Sequence, residues 1–108
     1  MKCPMLGAVA LVALLAAAPA GSNSAPIVHI RDDAFSPAGI TVHVGDKVTF
    51  VNDDDDAHTV TADDNSFDSE GLNQNEKWVH TFAKPGTIKY HCTVHPFMHG
   101  TLIVKVVK

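Results

Sequence analysis

The chain has 108 residues, 45% of them apolar and 19% charged, and a net charge of −4 with neutral histidines. That length holds one ordinary globular domain and leaves no room for a second. A single arginine, Arg31, with no basic stripe and no glycine-rich phosphate loop, argues against a nucleic-acid or nucleotide partner.

In chain order, Lys2 precedes an uninterrupted apolar run over residues 6–18, followed by Pro19, Ala20 and Gly21. Spanning a bilayer takes about 20 apolar residues, so this shorter run, ending in Ala18-Pro19-Ala20, reads as a secretory signal peptide cleaved after Ala20. Residues 1–20 are therefore expected to be a signal peptide and residues 21–108 the exported domain, with membrane contact only through the signal segment during export. Cys3 leaves with the signal. Cys92 then stands alone and cannot form an internal disulfide. In an oxidising compartment a lone thiol calls for an occupant, and metal ligation is the commonest one.

Between Ile27 and Val107, short alternating apolar segments are divided by Gly, Pro, Asn and Asp, an all-β signature. The clearest segments are residues 28–30, 40–44, 48–51, 58–62, 77–82, 87–92 and 101–107. Ser36-Pro37-Ala38-Gly39, Val44-Gly45-Asp46-Lys47 and Ala83-Lys84-Pro85-Gly86 carry the turn chemistry between them. The expected fold is an all-β Greek-key β-sandwich of about seven to eight strands in two sheets. Residues 67–75 have room for one loose helical turn.

Period-two counting places side chains on faces. Ile88, Tyr90 and Cys92 share one face of their segment, and His58, Val60 and Ala62 share one face of theirs, with Thr59 and Thr61 on the other. His58 and Cys92 thus both point inward. His29, His43 and His91 have the solvent-facing parity, His80 lies between Trp78 and Phe82, and His99 reads as a solvated loop residue; none is taken as a ligand. The acidic run Asp53-Asp54-Asp55-Asp56 reads as a solvated loop whose negative potential, if used, steers a basic partner. Residues 63–70 lack the ligand order of a calcium loop.

The chemistry concentrates in Tyr90-His91-Cys92-Thr93-Val94-His95-Pro96-Phe97-Met98-His99-Gly100, where Cys92-x-x-His95-x-x-Met98 sets a thiolate, an imidazole and a thioether in one loop. Adding His58 gives two nitrogens, a strong sulfur and a weak sulfur, the combination of a blue-copper electron-transfer site. Soft sulfur favours Cu(I) and imidazole suits both oxidation states. Buried cysteine and methionine also serve as packing residues, but packing alone would have to place all four donors by coincidence.

The stretch Cys92-Thr93-Val94-His95-Pro96-Phe97-Met98, with Tyr90-His91 before it and Pro85-Gly86-Thr87 upstream, resembles the ligand loop of cupredoxins of the plastocyanin and azurin group, and among them the amicyanins. The resemblance covers about Ile27 to Val107. It implies one type 1 copper ion on His58, Cys92, His95 and Met98, in a monomeric, periplasmic, non-enzymatic electron carrier. Its partners would be transient: a dehydrogenase as donor and a c-type cytochrome or an oxidase as acceptor. Two residues depart from the amicyanin pattern. Thr59 stands where asparagine usually follows the first histidine, which alters the hydrogen bond bracing the ligand loop, and Val94 replaces a common proline. His95, Pro96, Phe97 and Met98 are expected to form the small apolar surface where electrons enter and leave. Copper storage or delivery is the alternative use of the same soft ligands, and would need an exchangeable site with exposed methionines or histidines. A metal enzyme would need an open coordination position, which four protein ligands do not leave.

Overall fold

The computed structural model describes residues 25–107, and the expected signal peptide, residues 1–20, lies outside them. Eight strands follow one another: β1 (Ile27–Arg31), β2 (Ala34–Ser36), β3 (Gly39–His43), β4 (Lys47–Asn52), β5 (Thr61–Ala62), β6 (Lys77–Thr81), β7 (Gly86–His91) and β8 (His99–Lys105). They form two four-stranded sheets, ordered β2-β1-β4-β6 and β3-β8-β7-β5, and no helix occurs among the described residues. Each sheet is mixed, because β1 runs parallel to β4 and β3 parallel to β8.

Alternation explains why these segments pair as they do. In β4, Val48, Phe50 and Asn52 are buried, and in β8 Gly100, Leu102 and Val104 are buried, so each strand gives one face to the core. Val28, Ile30, Phe35, Tyr90 and Cys92 fill the space between the sheets. Burying a side chain of the size of Phe50 contributes about 1.5–3 kcal/mol. The Tyr90 ring meets Phe35 and Phe50 edge-on, with centroids 4.8 and 5.6 Å away. Gly100 leaves the space the Tyr90 ring occupies: a Cβ there would lie 2.2 Å from the ring.

Three details differ from the pattern read in the sequence. β2 was not expected. It pairs antiparallel with β1 across a two-residue turn, Asp32-Asp33, with φ of 54° and 56°, the positive-φ pair that a tight hairpin needs and that aspartate tolerates. Residues 58–62 join the sheet only at β5, since His58 pairs instead with Leu72, and Val60 accepts from the Ser69 N–H. Residues 67–75 hold no helix: Asp68 and Leu72 bridge to Thr61 and His58 of that segment, and a tight hydrogen-bonded turn follows at Gln74-Asn75. The chain leaving β4 and the chain leaving β7 thereby reach the same end of the sandwich.

Candidate metal centre

Cys92 is the first residue after β7 and keeps the inward parity of Tyr90, so its sulfur is fully buried. The return into β8 is tied by backbone bonds: the Cys92 N–H donates to the Met98 carbonyl (3.3 Å) and the Met98 N–H to the His95 carbonyl (2.9 Å). These close a short loop that carries His95 at its partly exposed rim and the buried Met98 at its base. His58 arrives from the other side, fully buried.

Cys92 Sγ lies 3.7 Å from His58 Nδ1 and 3.9 Å from His95 Nδ1. The three donor atoms fall within 4.8 Å of one another. With bonds of about 2.3 Å to sulfur and about 2.0 Å to nitrogen, as for zinc, a sulfur and a nitrogen 120° apart on one ion stand about 3.7 Å apart. The spacing therefore suits one late first-row metal ion. Two imidazoles and a thiolate, with the buried Met98 closing the same loop, are a donor set that would hold copper and give it soft sulfur beside nitrogen.

The surroundings prepare His58 for this task. His58 Nε2 is 2.9 Å from Asp54 Oδ2. A carboxylate only accepts, so Nε2 carries the proton and Nδ1 turns a free lone pair toward Cys92. Asp54 is itself clamped, its two oxygens accepting the Asp32 N–H (2.8 Å) and the Asp33 N–H (3.1 Å) of the β1–β2 turn. Partial burial pushes the Asp54 carboxyl up, yet these backbone donors and the His58 ring together hold it below its ordinary value. Asn52, fully buried at the end of β4, accepts the Asp54 N–H and donates to the carbonyls of Asp56 and Leu72, which holds the whole connection to His58 in place.

Thr59 braces the ligand loop from the side. Its N–H donates to Cys92 Sγ (3.3 Å), and its Oγ1 accepts the Thr93 N–H (2.9 Å). The same hydroxyl lies 2.9 Å from Thr61 Oγ1, which donates to Asp68 (3.1 Å), so the donors line up in one direction from Thr93 to the carboxylate. Thr59 and Thr61 are buried rather than solvent-facing. A hydroxyl that finds a partner is at home inside, and the irregular pairing of residues 58–60 frees the Thr59 N–H for sulfur.

All four residues singled out in the sequence, His58, Cys92, His95 and Met98, lie at one end of the sandwich, and the parity reading of His58 and Cys92 holds. The acidic run is only partly a solvated loop. Asp53 pairs with His29 (2.9 Å) and Arg31 (3.0 Å), and Asp54 with His58, whereas Asp55 and Asp56 are exposed. Thr59 was singled out for the hydrogen bond that braces the ligand loop, whereas the parts of Asn52, Asp54, Thr61 and Asp68 are not legible in the sequence. Beside His95, Val94 is 55% and Phe97 67% exposed, and Pro96 is exposed as well. Together with the edge of His95 they make an apolar rim, but Met98, expected in it, is buried at the base of the loop, and Val94 takes its place.

A family model of the cupredoxin-like domain matches residues 5–104. The chain is 30% identical over 89 residues to amicyanin of Paracoccus denitrificans, covering 78% of this chain and 68% of that one. It is 33% identical over 93 residues to amicyanin-alpha of Methylorubrum extorquens, covering 82% and 76%. Among solved structures, the Cu(I) form of an amicyanin mutant superposes with a TM-score of 0.71 at 31% identity, over 77% of this chain and 84% of that one.

Proposed function

This chain belongs to the cupredoxin-like family, and from that membership we propose that it is an exported blue-copper electron carrier whose single copper ion is held by His58, Cys92, His95 and Met98. When bound, copper supplies a one-electron exchange between Cu(I) and Cu(II). The observation that carries the reading is the Cys92 sulfur, buried and standing 3.7 and 3.9 Å from two imidazole nitrogens.

Each side chain has a distinct part. Cys92 binds as the thiolate, and the Thr59 N–H bonded to its sulfur draws off charge, which tunes how tightly the sulfur gives electrons. His58 is kept in one tautomer and one orientation by Asp54, so its position does not change as charge moves. The burial of His58, Cys92 and Met98 excludes water and leaves no open position for a substrate. His95 alone of the four reaches the rim, so a protein resting on Val94, Pro96 and Phe97 lies against its ring. Such a patch is small, which suits brief redox encounters.

The partners that fit are other redox proteins, a dehydrogenase giving electrons and a c-type cytochrome or oxidase receiving them, met in the periplasm after cleavage at Ala20. Copper storage or delivery fits less well, since two donors with no exposure oppose ready exchange.

The test is to add Cu(II) to the purified protein and record its visible spectrum. An intense blue band is expected, bleached reversibly by one electron and absent from Cys92→Ser. A pale copper complex in the unaltered protein would overturn the proposal.

A further inference from the structure

The sheet register brings a second pair of imidazoles together, away from the buried centre. In the antiparallel pair β7–β8, His91 stands directly opposite His99. The next residues of the two strands, Cys92 and Gly100, are buried, so both histidines face the outer side of that sheet. Directly opposed side chains have Cβ atoms about 4.5–5.5 Å apart. Two imidazoles can close that span with one nitrogen each on a single ion. His99 is exposed, so no packing stops its ring from turning toward His91.

The other flank of His91 supplies an independent feature. Thr61 of β5 pairs with His91 on the side of β7 away from β8, and from the turn after β5 Asp63 places Oδ1 2.6 Å from His91 Nδ1. The carboxylate accepts, so Nδ1 carries the proton and Nε2 keeps its lone pair. A carboxylate behind a histidine fixes the ring and its tautomer, which is how metal-ligating histidines are supported.

We propose that His91 and His99 form a second, outward-facing metal site for a borderline divalent cation such as Zn(II) or Cu(II), with Asp63 orienting His91 and water completing the coordination. Neutral imidazoles select such ions over Mg²⁺ and Ca²⁺, which take oxygen donors. The two ligands sit immediately beside Cys92 and Met98 in sequence but on the opposite face of the sheet. An ion there would pin β7 to β8 at the point where both strands enter the copper loop.

The test uses the protein loaded with Cu(I), so that the inner donors are filled, and Zn(II) alone as probe. Calorimetry should show one equivalent bound, and the ring resonances of His91 and His99 should shift together while those of His29 and His43 stay still. His91→Gln and His99→Gln should each abolish this uptake, and Asp63→Asn should weaken it about ten- to hundredfold. The far-ultraviolet circular dichroism of each variant checks that it is folded, whether or not the inner site turns blue. No uptake by the unaltered protein, or uptake unchanged in His99→Gln, would overturn the site. Failure of the blue-copper test would leave this pair of ligands untouched, because neither residue belongs to the inner set.

Discussion

Asp54 and His58 are joined by a 2.9 Å hydrogen bond, and the turn at Asp32-Asp33 holds the same carboxylate from behind. The first histidine of the metal centre is thus positioned by a hairpin from a different part of the sheet. Asp54→Asn removes the charge that fixes the His58 tautomer and weakens the clamp. Copper affinity, measured by competition with a chelator, should fall about ten- to hundredfold. An affinity equal to that of the unaltered protein would show that Asp54 does not position the ligand.

Thr59→Val keeps the shape of the side chain and removes its hydroxyl. The Thr93 N–H then loses its acceptor and Thr61 loses the donor on its other side. Thr61 still donates to Asp68 and Thr93 is exposed, so the loss is that of ordinary hydrogen bonds, about 0.5–1.5 kcal/mol. Denaturant unfolding should show a loss of that size, and copper loss should speed up because the loop after Cys92 is less firmly held. Unchanged unfolding would mean that water takes the place of the hydroxyl.

Much of this architecture is local in the chain and so could be read there. Cys92, His95 and Met98 sit three residues apart within one loop, and the inward parity of Cys92 follows from Tyr90 and Ile88 two and four residues earlier. The parity of His58 followed from Val60 and Ala62, although its segment forms only a two-residue strand. What escaped depends on distance in the sequence. Asp54 gains its role from backbone donors in the β1–β2 turn, and that turn is built by two aspartates rather than the glycine or asparagine that signals a hairpin. Thr59 and Thr61 break alternation because their hydroxyls find partners in Thr93 and Asp68, which no count of apolar residues reveals.

Gly100 and Tyr90 make a pair whose fit can be tested directly. Gly100→Ala would drive a methyl group into the Tyr90 ring and should cost about 1–3 kcal/mol or more. Tyr90→Phe should behave differently. The Tyr90 hydroxyl is buried without a hydrogen-bond partner, and burial pushes the phenol well above its ordinary pKa. Removing it should leave stability unchanged or slightly raised. Gly100→Ala should remain destabilising in the Tyr90→Phe background, since the ring itself is the obstacle. Urea midpoints of the two single variants and the double variant decide this, and a marked loss in Tyr90→Phe alone would show that the hydroxyl has a partner after all.

His80 gives the fold a dependence on pH that is separate from the metal centre. It stacks on Trp78 at 4.9 Å and 16°, touches Phe67 and Phe82, and lines a surface pocket with Lys84. Desolvation among these rings lowers its pKa below the ordinary value. In the unfolded chain His80 takes up a proton near pH 6.5, whereas in the native chain it does so only at lower pH. Between those two points the unfolded state binds more protons, so stability rises with pH through that window and is lost as pH falls below about 6.5. Melting temperatures recorded from pH 8 to pH 5 should therefore fall less steeply for His80→Phe than for the unaltered protein. Both proteins share every other titrating group, so parallel curves would mean that His80 protonates equally easily in the folded and unfolded chain.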